Sequence, residues 1–485
     1  MGMKNNFLII LLCFSSIIGK ASGKTVNGMA PLHIQVYNDP CKEEQKDWID
    51  FESYLRYADS VGIGAVTVDV WWGMVQKYDK DTFEWAYYDK LFGLIKSRGL
   101  DIVPIMSFHQ CGGNVGDNYY APVPQWVWGE MKRNNPAIGT EDDLKYKSLQ
   151  AKICPEYVSL WADTLVLTYY KRFLEEFSRH FDKYATNIPE INISCGPAGE
   201  LRYPSYNSHD NWSYPQIGNL QCYSSLAKKS FQDYVKNLYG SVVNLNKSWN
   251  SKLSSFNDVA PPSNTDFFTN GDYKNIMYGK DLTTWYNQCL IEHGQRMLKM
   301  ANDVLSQSSF MNKDIGFKIP GIHWQIVNPD MPRVAEITAG LINSRAIQCD
   351  DVGYATLLSK VIPPQLNKDK IVLHFTCLEM CNRYECDRSR QSGCNPGDAT
   401  EDYSMASALV FWVASDASKF GIRLKGENAL AISPYDNKVW DNISNALDKA
   451  NYQGVTILRI ENICKPQYSP VDNRFLRFMD QYKNQ

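Results

Sequence analysis

At 485 residues the chain is too long for one small domain but within the range of a single large barrel with insertions. Apolar residues at 44% and charged residues at 21% describe a globular protein with a large core. The formal net charge of −3 offers no basic surplus, which argues against nucleic acid or an anionic membrane as partner.

The N-terminus reads "MGMKNNFLIILLCFSSIIGKASG". Lys4, an apolar run from Phe7 to Ile18, and the small residues Gly19, Ala21 and Gly23 are read as a secretory signal over 1–23, cut near Ala21 or Gly23. The run is short for a membrane span, so an uncleaved anchor is the lesser alternative and no membrane association is expected after removal. Of 13 Cys, 12 remain after the signal. That even number in a secretory context permits disulfides, and Cys381, Cys386 and Cys394 crowd one polar loop where a bridge is expected. Sequons at Asn211, Asn246 and Asn442 are candidate glycan sites; the one at Asn192 falls in a predicted buried strand and is discounted.

Strands and helices then alternate. "LHIQVYN" is taken as the first strand, followed by a helix with Trp48, Phe51, Leu55 and Ala58 on one face and Gly62 as its stop. "AVTVDVWW" is the second strand. A helix with Trp85, Tyr88, Leu91 and Ile95 inward leads to the third, "DIVPIMSFH". "INISCG", "IGFKIPGIHW", "IVLHFTC", "GIRLKGEN" and "GVTILRI" bring the number to eight, and "NRFLRFMDQYKNQ" is read as a final helix. Short Val- and Ile-rich runs, each followed by an amphipathic helix, mark parallel strands covered by helices. Eight such units predict an α/β fold, a (β/α)8 TIM barrel spanning 24–485 as one domain, with long loops after strands 3 and 4. A doubly wound open sheet is the alternative, but no glycine-rich fingerprint opens the first crossover, and no cofactor is expected. No second domain is read after Arg459.

Polar residues gather at the predicted strand ends, where a barrel of this type carries its chemistry. They are Asp69 after strand 2, "HQCGGNVGD" from His109 to Asp117 after strand 3, and Glu200 in "GPAGELRYPSY" after strand 4. Lys318 and His323 follow on strand 5, Thr376 on strand 6, Glu427 and Asn428 in "GENAL" on strand 7, and Arg459 on strand 8. Taken singly, each is more often a surface or structural group. Together they place a polar side chain at the end of every strand but the first. Two glutamates among Asp, His, Asn and Lys suit glycosidic cleavage, which needs one acid for the leaving oxygen and one base or nucleophile at the anomeric carbon. An ordinary Glu titrates near about 4.3, so the donor needs a site that keeps it protonated, and a cation such as Lys318 would keep the base ionised.

The blocks "HQCGGNVGD", "GPAGELRYPSY", "KIPGIHW", "FTCLEM" and "GENAL" resemble the signatures of β-amylases, glycoside hydrolase family 14, nearest its microbial form, across essentially the whole mature chain. The resemblance implies a (β/α)8 barrel that hydrolyses α-1,4-glucan polysaccharide or maltooligosaccharide from the non-reducing end, releasing β-maltose with inversion. It implies Glu200 as general acid, Glu427 as general base, Asp117 as the acid of a mobile flap, and Thr376 as the threonine of a second mobile loop. Asp69, His109, Asp117, Lys318, His323, Thr376, Asn428, Ala429 and Arg459 match sugar-contacting positions. Inversion needs room for a water, so the two carboxyl groups are expected roughly 6.5–9.5 Å apart. Arg202 and Tyr203 are expected to brace the Glu200 loop, and Gly196, Pro197 and Gly199 to turn it sharply.

Some microbial relatives bind calcium through acids after the second strand and on a later helix. Here Gln76, Lys80, Thr168 and Lys171 stand at those places, so no metal is expected. With no starch-binding module read, raw granules are expected to be poor substrates. Cys111 and Cys377 are read as free thiols near the site. A monomer is expected. Two rival readings remain open: a non-catalytic, glucan-binding or regulatory protein on the same scaffold, and a retaining glycosidase with carboxyl groups about 5–5.5 Å apart.

Overall fold

The computed structural model describes residues 23–34, 43–113, 117–347, 353–382 and 402–482, with the side chains of 43–46 outside the description. Eight parallel strands close into a barrel: β1 (Thr25–Met29), β2 (Ala65–Trp71), β3 (Asp101–Ser107), β4 (Glu190–Ile193), β5 (Asp314–Ile319), β6 (Ile371–Phe375), β7 (Arg423–Glu427) and β8 (Gly454–Ile457). Seven of these lie where the hydrophobic pattern put them.

The first does not. Leu32, His33 and Ile34 form no strand, and the remainder of "LHIQVYN" lies outside the described residues. Instead Thr25–Met29 closes the barrel, with Asn27 opposite both Thr456 and Ala65. "TVNGM" carries a Gly and an Asn and reads poorly as a strand. It is held by two ladders and not by its own propensity. Gly28 is the tight point, since a Cβ there would meet Ile460 at 3.0 Å.

Along β2, the side-chain alternation that governs every strand is visible. Val66, Val68 and Val70 are buried in the apolar layer between barrel and helices, while Thr67, Asp69 and Trp71 line the cavity at the barrel mouth. Each buried valine contributes about 1.5–3 kcal/mol relative to exposure. The helices α1 (Glu43–Val61), α2 (Ala86–Ser97), α3 (Asp163–His180) and α4 (Met277–Leu305) follow β1 to β4. The predicted inward faces hold: Trp48, Phe51, Leu55, Ala58, Trp85, Tyr88, Leu91 and Ile95 are all buried. After β5 the covering element shrinks to a single turn, α5 (Ala355–Leu358), packed between α4 and α6 (Ala406–Lys419). The helices α7 (Asn437–Lys449) and α8 (Arg474–Tyr482) complete the ring.

The excursions after β3 (residues 108–162) and β4 (194–276) are long, as expected, and a third runs from 320 to 370, with short helices at Val334–Thr338 and Ser344–Ile347. Within the barrel, Glu190 accepts from His374 at 2.5 Å and Lys425 at 2.7 Å. Burial alone would raise this carboxyl, but the interactions with His374 and Lys425 outweigh it and hold it well below the usual range. This buried hydrogen-bonded cluster forms a polar plug under the mouth.

Among the described residues no helix is long and apolar enough to cross a membrane. Cys386 and Cys394, two of the three cysteines expected to bridge, lie outside the description, whereas Cys111 and Cys377 are buried free thiols. Asn442 is unsuited to glycosylation, contrary to its sequon: it is buried in α7, and its amide donates to Glu379 O and Met380 O. The Asn246 side chain is tied to Leu253 and Ser251, which leaves Asn211 as the exposed acceptor.

Candidate active site

The chain leaves β4 at Ile193 and turns at once. Pro197–Gly199 forms one tight turn in which Glu200 N donates to Pro197 O at 3.1 Å. Two features require the glycines. A Cβ on Gly196 would lie 2.4 Å from the carbonyl oxygen of Glu200, and Gly199 sits at φ +79° with the His109 ring beneath it. From below, the His293 ring of α4 links Cys195 O (2.9 Å) to Asp163 at the start of α3 (2.7 Å). Past the turn, Glu200 pairs with Lys318 as a parallel bridge, and Leu201 N donates to Lys318 O at 2.7 Å. The loop thus becomes a short extension laid on the end of β5, which fixes the Glu200 backbone beside Lys318.

Side chains then fix the carboxylate. Arg202 Nε donates to Glu200 Oε2 at 2.8 Å and the Tyr206 hydroxyl donates to the same oxygen at 3.3 Å. The Arg202 guanidinium stacks 4.0 Å over the Tyr206 ring and donates through Nη1 to Asn207 Oδ1 at 2.6 Å. Tyr203 braces from beneath, stacked 3.7 Å on Tyr286. Oε1 of Glu200 has no hydrogen-bond partner among the described residues.

Glu427 closes β7 and is almost wholly buried, its side chain 6% exposed. Lys318 Nζ donates to its Oε1 at 2.7 Å. Burial would lower the lysine pKa, but Glu427, with Glu200 and Asp69 further off, outweighs burial and raises it. Lys318 therefore stays charged between Glu200, on the loop after β4, and Glu427, at the end of β7.

The other predicted residues converge on the same space. A cavity of about 1000 Å³ is lined by Asp69, His109, Asp117, Glu200, Lys318, His323, Thr376, Glu427, Asn428, Ala429 and Arg459, all eleven. Asp69 accepts from Ser107 at 2.7 Å, and burial pushes its carboxyl up against the opposing pull of Arg459. His109 pairs through Nδ1 with Ser194 Oγ at 2.8 Å, and burial, then Lys318 and Arg202, bring it down to about 3. His323 pairs with Ser404 Oγ at 2.7 Å, and burial brings it down to about 4. Both rings are neutral at ordinary pH and suited to hydrogen bonding with hydroxyls. Thr376 Oγ1 accepts from Gly321 N at 2.7 Å. Arg459 donates to Ala30 O at 2.9 Å. Asn428 lines the wall, but its amide is engaged with the backbone: Oδ1 accepts from Leu458 N at 2.8 Å, while Nδ2 donates to Leu458 O and Leu430 O. Trp71, Tyr206, Trp212, Tyr214 and Trp324 complete the lining with aromatic rings.

Ser107, Ser194, Ser404 and Glu379 were not singled out in the sequence. Glu379 accepts from Ala429 N at 2.9 Å and Leu430 N at 2.9 Å, which shapes the turn after the second glutamate. Burial pushes it up to about 7. Its signal was present, since it sits inside "FTCLEM". The three serines gave none, because a hydroxyl supporting a ring across 81 or 85 positions, or a carboxylate across 38, has no local pattern.

The profile of glycosyl hydrolase family 14 matches residues 44–484. The chain belongs to that family. It is a glycoside hydrolase of the β-amylase family, and similarity runs along its length. It is 36% identical to a thermophilic β-amylase of Thermoanaerobacterium thermosulfurigenes over 94% of this chain and 76% of that one. It is 34% identical to a β-amylase of Cytobacillus firmus over 96% and 90%. The catalytic domain of a β-amylase from Paenibacillus polymyxa superposes with a TM-score of 0.76 at 34% identity, over 95% of this chain and 98% of that one. Nothing in these relatives favours a non-catalytic protein. Where family 14 relatives were expected to use acids for calcium, Gln76 accepts from Trp72 Nε1 at 2.7 Å and donates to Lys80 O at 2.6 Å, so an amide closes the turn.

Proposed function

We propose that Glu200 protonates the glycosidic oxygen and Glu427 activates water in an inverting, exo-acting hydrolysis of α-1,4-glucan that releases β-maltose from non-reducing ends. The observation that carries this reading is the symmetry of anchoring in one cavity. Each carboxylate has one oxygen held by a cation, Glu200 by Arg202 at 2.8 Å and Glu427 by Lys318 at 2.7 Å, and the other oxygen without a hydrogen-bond partner among the described residues. An anchored oxygen fixes aim, and the second oxygen does the chemistry. On Glu200, Oε2 already accepts two hydrogen bonds, which leaves Oε1 as the oxygen that hands a proton to the departing sugar. On Glu427, Oε2 receives the proton of the attacking water while Lys318 stabilises the carboxylate. Water enters opposite the leaving group, and the new hydroxyl is β.

Asp69, His109, His323 and Arg459 hold the terminal glucose units through their hydroxyls, and the Glu379-bound turn presents Ala429. Asp117, on the loop after β3, closes over the chain end and excludes bulk water. Asp117→Asn keeps its shape and loses the charge. It is expected to raise KM and lower kcat together, by about tenfold each, with an unchanged pH profile; a shifted profile would make Asp117 a proton carrier instead. We also place the enzyme in the secretory route, supported by the apolar N-terminus of 1–23 and the exposed sequon at Asn211.

The test is the anomer. Digestion of a defined maltooligosaccharide, followed by NMR at early time, is expected to show β-maltose ahead of mutarotation. Initial α-maltose would identify retention and remove the water-activating role from Glu427.

A further inference from the structure

The two longest loops meet behind the Glu200 loop in a cluster that the hydrolytic chemistry does not use. Cys154 ends the short strand Ile153–Cys154, Glu156 follows it, and His209 lies in the turn Ser208–Asp210. One donor atom from each lies within 4.8 Å of the others. Cys154 is fully buried, while Glu156 and His209 are part-buried, which leaves a way in from solvent.

We propose that Cys154 Sγ, Glu156 carboxylate and His209 Nδ1 form a binding site for a borderline-soft divalent cation of the zinc class, and that occupation of this site lowers turnover through Arg202. Thiolate, imidazole and carboxylate are the donor types zinc takes, with three protein ligands leaving a fourth position for water. Two further observations point the same way. His209 Nδ1 is buried with no hydrogen-bond partner, an orphaned atom that needs explaining. The other ring nitrogen, Nε2, lies 3.2 Å from Gln221 Oε1, which as acceptor selects the tautomer with a lone pair on Nδ1. Gln221 is in turn held by Asp210 through Nε2. A ligating histidine oriented by a carbonyl oxygen on its far nitrogen is the usual outer arrangement of a metal site. Tetrahedral zinc needs donors roughly 3.5 Å apart, a contraction that two loops can supply. On binding, the Cys154 thiol yields its proton to solvent as the sulfur–metal bond forms.

The link to catalysis is short. The Glu156 carboxylate accepts from Asn207 Nδ2, Asn207 Oδ1 accepts from Arg202 Nη1 at 2.6 Å, and Arg202 Nε holds Glu200 Oε2 at 2.8 Å. A cation that draws Glu156 toward Cys154 and His209 loosens Asn207, and with it the guanidinium that aims Glu200. This second half rests on the reading of Glu200 as the acid; the binding half does not.

The whole chain is titrated with Zn²⁺ by calorimetry, and with Co²⁺ to read the thiolate-to-metal charge-transfer band. One equivalent per chain is expected, with the band absent in Cys154→Ser and Zn²⁺ affinity weakened at least about tenfold in His209→Gln. Should Cys154→Ser not fold, His209→Gln carries the test, since its side chain is only part-buried. Absence of the band in the wild type, its survival in Cys154→Ser, or unchanged affinity in His209→Gln overturns the site. Zn²⁺ is expected to lower kcat, reversibly with chelator, in the wild type and not in His209→Gln. Binding without any change in kcat overturns the coupling. A chain that shows the band but never hydrolyses glucan leaves the site standing and fails the functional reading instead.

Discussion

Glu200→Gln is expected to lower kcat on maltooligosaccharides by about 10²–10⁴-fold with little change in KM, while cleavage of α-maltosyl fluoride falls far less. Glutamine keeps the shape of the side chain and an oxygen for the Arg202 and Tyr206 donors, so the loop built by Gly196 and Gly199 should stay in place. What it lacks is a transferable proton. A glucosyl leaving group needs that proton because the alkoxide it would otherwise become is a strong base, whereas fluoride departs without one. Glu427→Gln provides the contrast. Both substrates require an activated water, so both should fall by a similar factor. Steady-state kinetics on the pair of substrates reads the roles directly. Equal losses on both substrates for Glu200→Gln would show that Glu200 acts on the sugar and not on the leaving oxygen.

Much of this site was legible before any fold was known, for a physical reason. Parallel barrel strands are buried on both faces and announce themselves as apolar runs, and the barrel rule then sends everything at their C-terminal ends to one mouth. That reasoning placed Asp69, Lys318, Thr376 and Glu427 together although they are far apart in sequence, and they do line one cavity. It failed where pairing overrides propensity. Thr25–Met29 is a strand because Val455 and Val66 flank its middle residues, and nothing in "TVNGM" advertises that. It failed again after β5, where a short turn at Ala355–Leu358 replaces a full helix. At the site, the motif blocks indicated which carboxylates matter but not how they are held. Arg202 reaches Glu200 from two positions along and was foreseeable, while Ser194 under His109 and Ser404 under His323 are tertiary pairings with no local trace. The cluster of Cys154, Glu156 and His209 was likewise invisible, since its spacing matches no metal motif and only the meeting of two loops assembles it. The sequence reading expected no metal.

Lys318→Met is the second large expected effect, and it separates stability from chemistry. Lys318 is a cation interrupting an apolar strand, tied to Glu427 at 2.7 Å in a region where the partner carboxylate is almost fully buried. Removing it leaves a buried negative charge without its ion pair, at a cost of about 3 kcal/mol, the lower end for breaking such a pair because the lysine itself is partly exposed. Protonation of Glu427 would relieve that cost, but a protonated Glu427 cannot activate water. The single variant is therefore expected to lose both several degrees of Tm and about 10²–10⁴-fold in kcat at neutral pH. The double variant Lys318→Met with Glu427→Gln removes the stranded charge along with its partner. It should recover most of the lost Tm while remaining inactive, a signature of a charge pair that simple loss of packing would not give. The sign of the pH dependence follows from the lysine's raised pKa in the folded state. A raised folded value means the pair's stabilisation is fully present below the unfolded lysine value of about 10.4 and fades as pH rises through the folded one. Between pH 5 and 8 the difference in Tm between wild type and Lys318→Met should then stay nearly constant as far as the lysine is concerned. It should narrow only in strong alkali. A gap that closed already near neutrality would mean that Lys318 loses its charge there, and the base would have to be held ionised by something else.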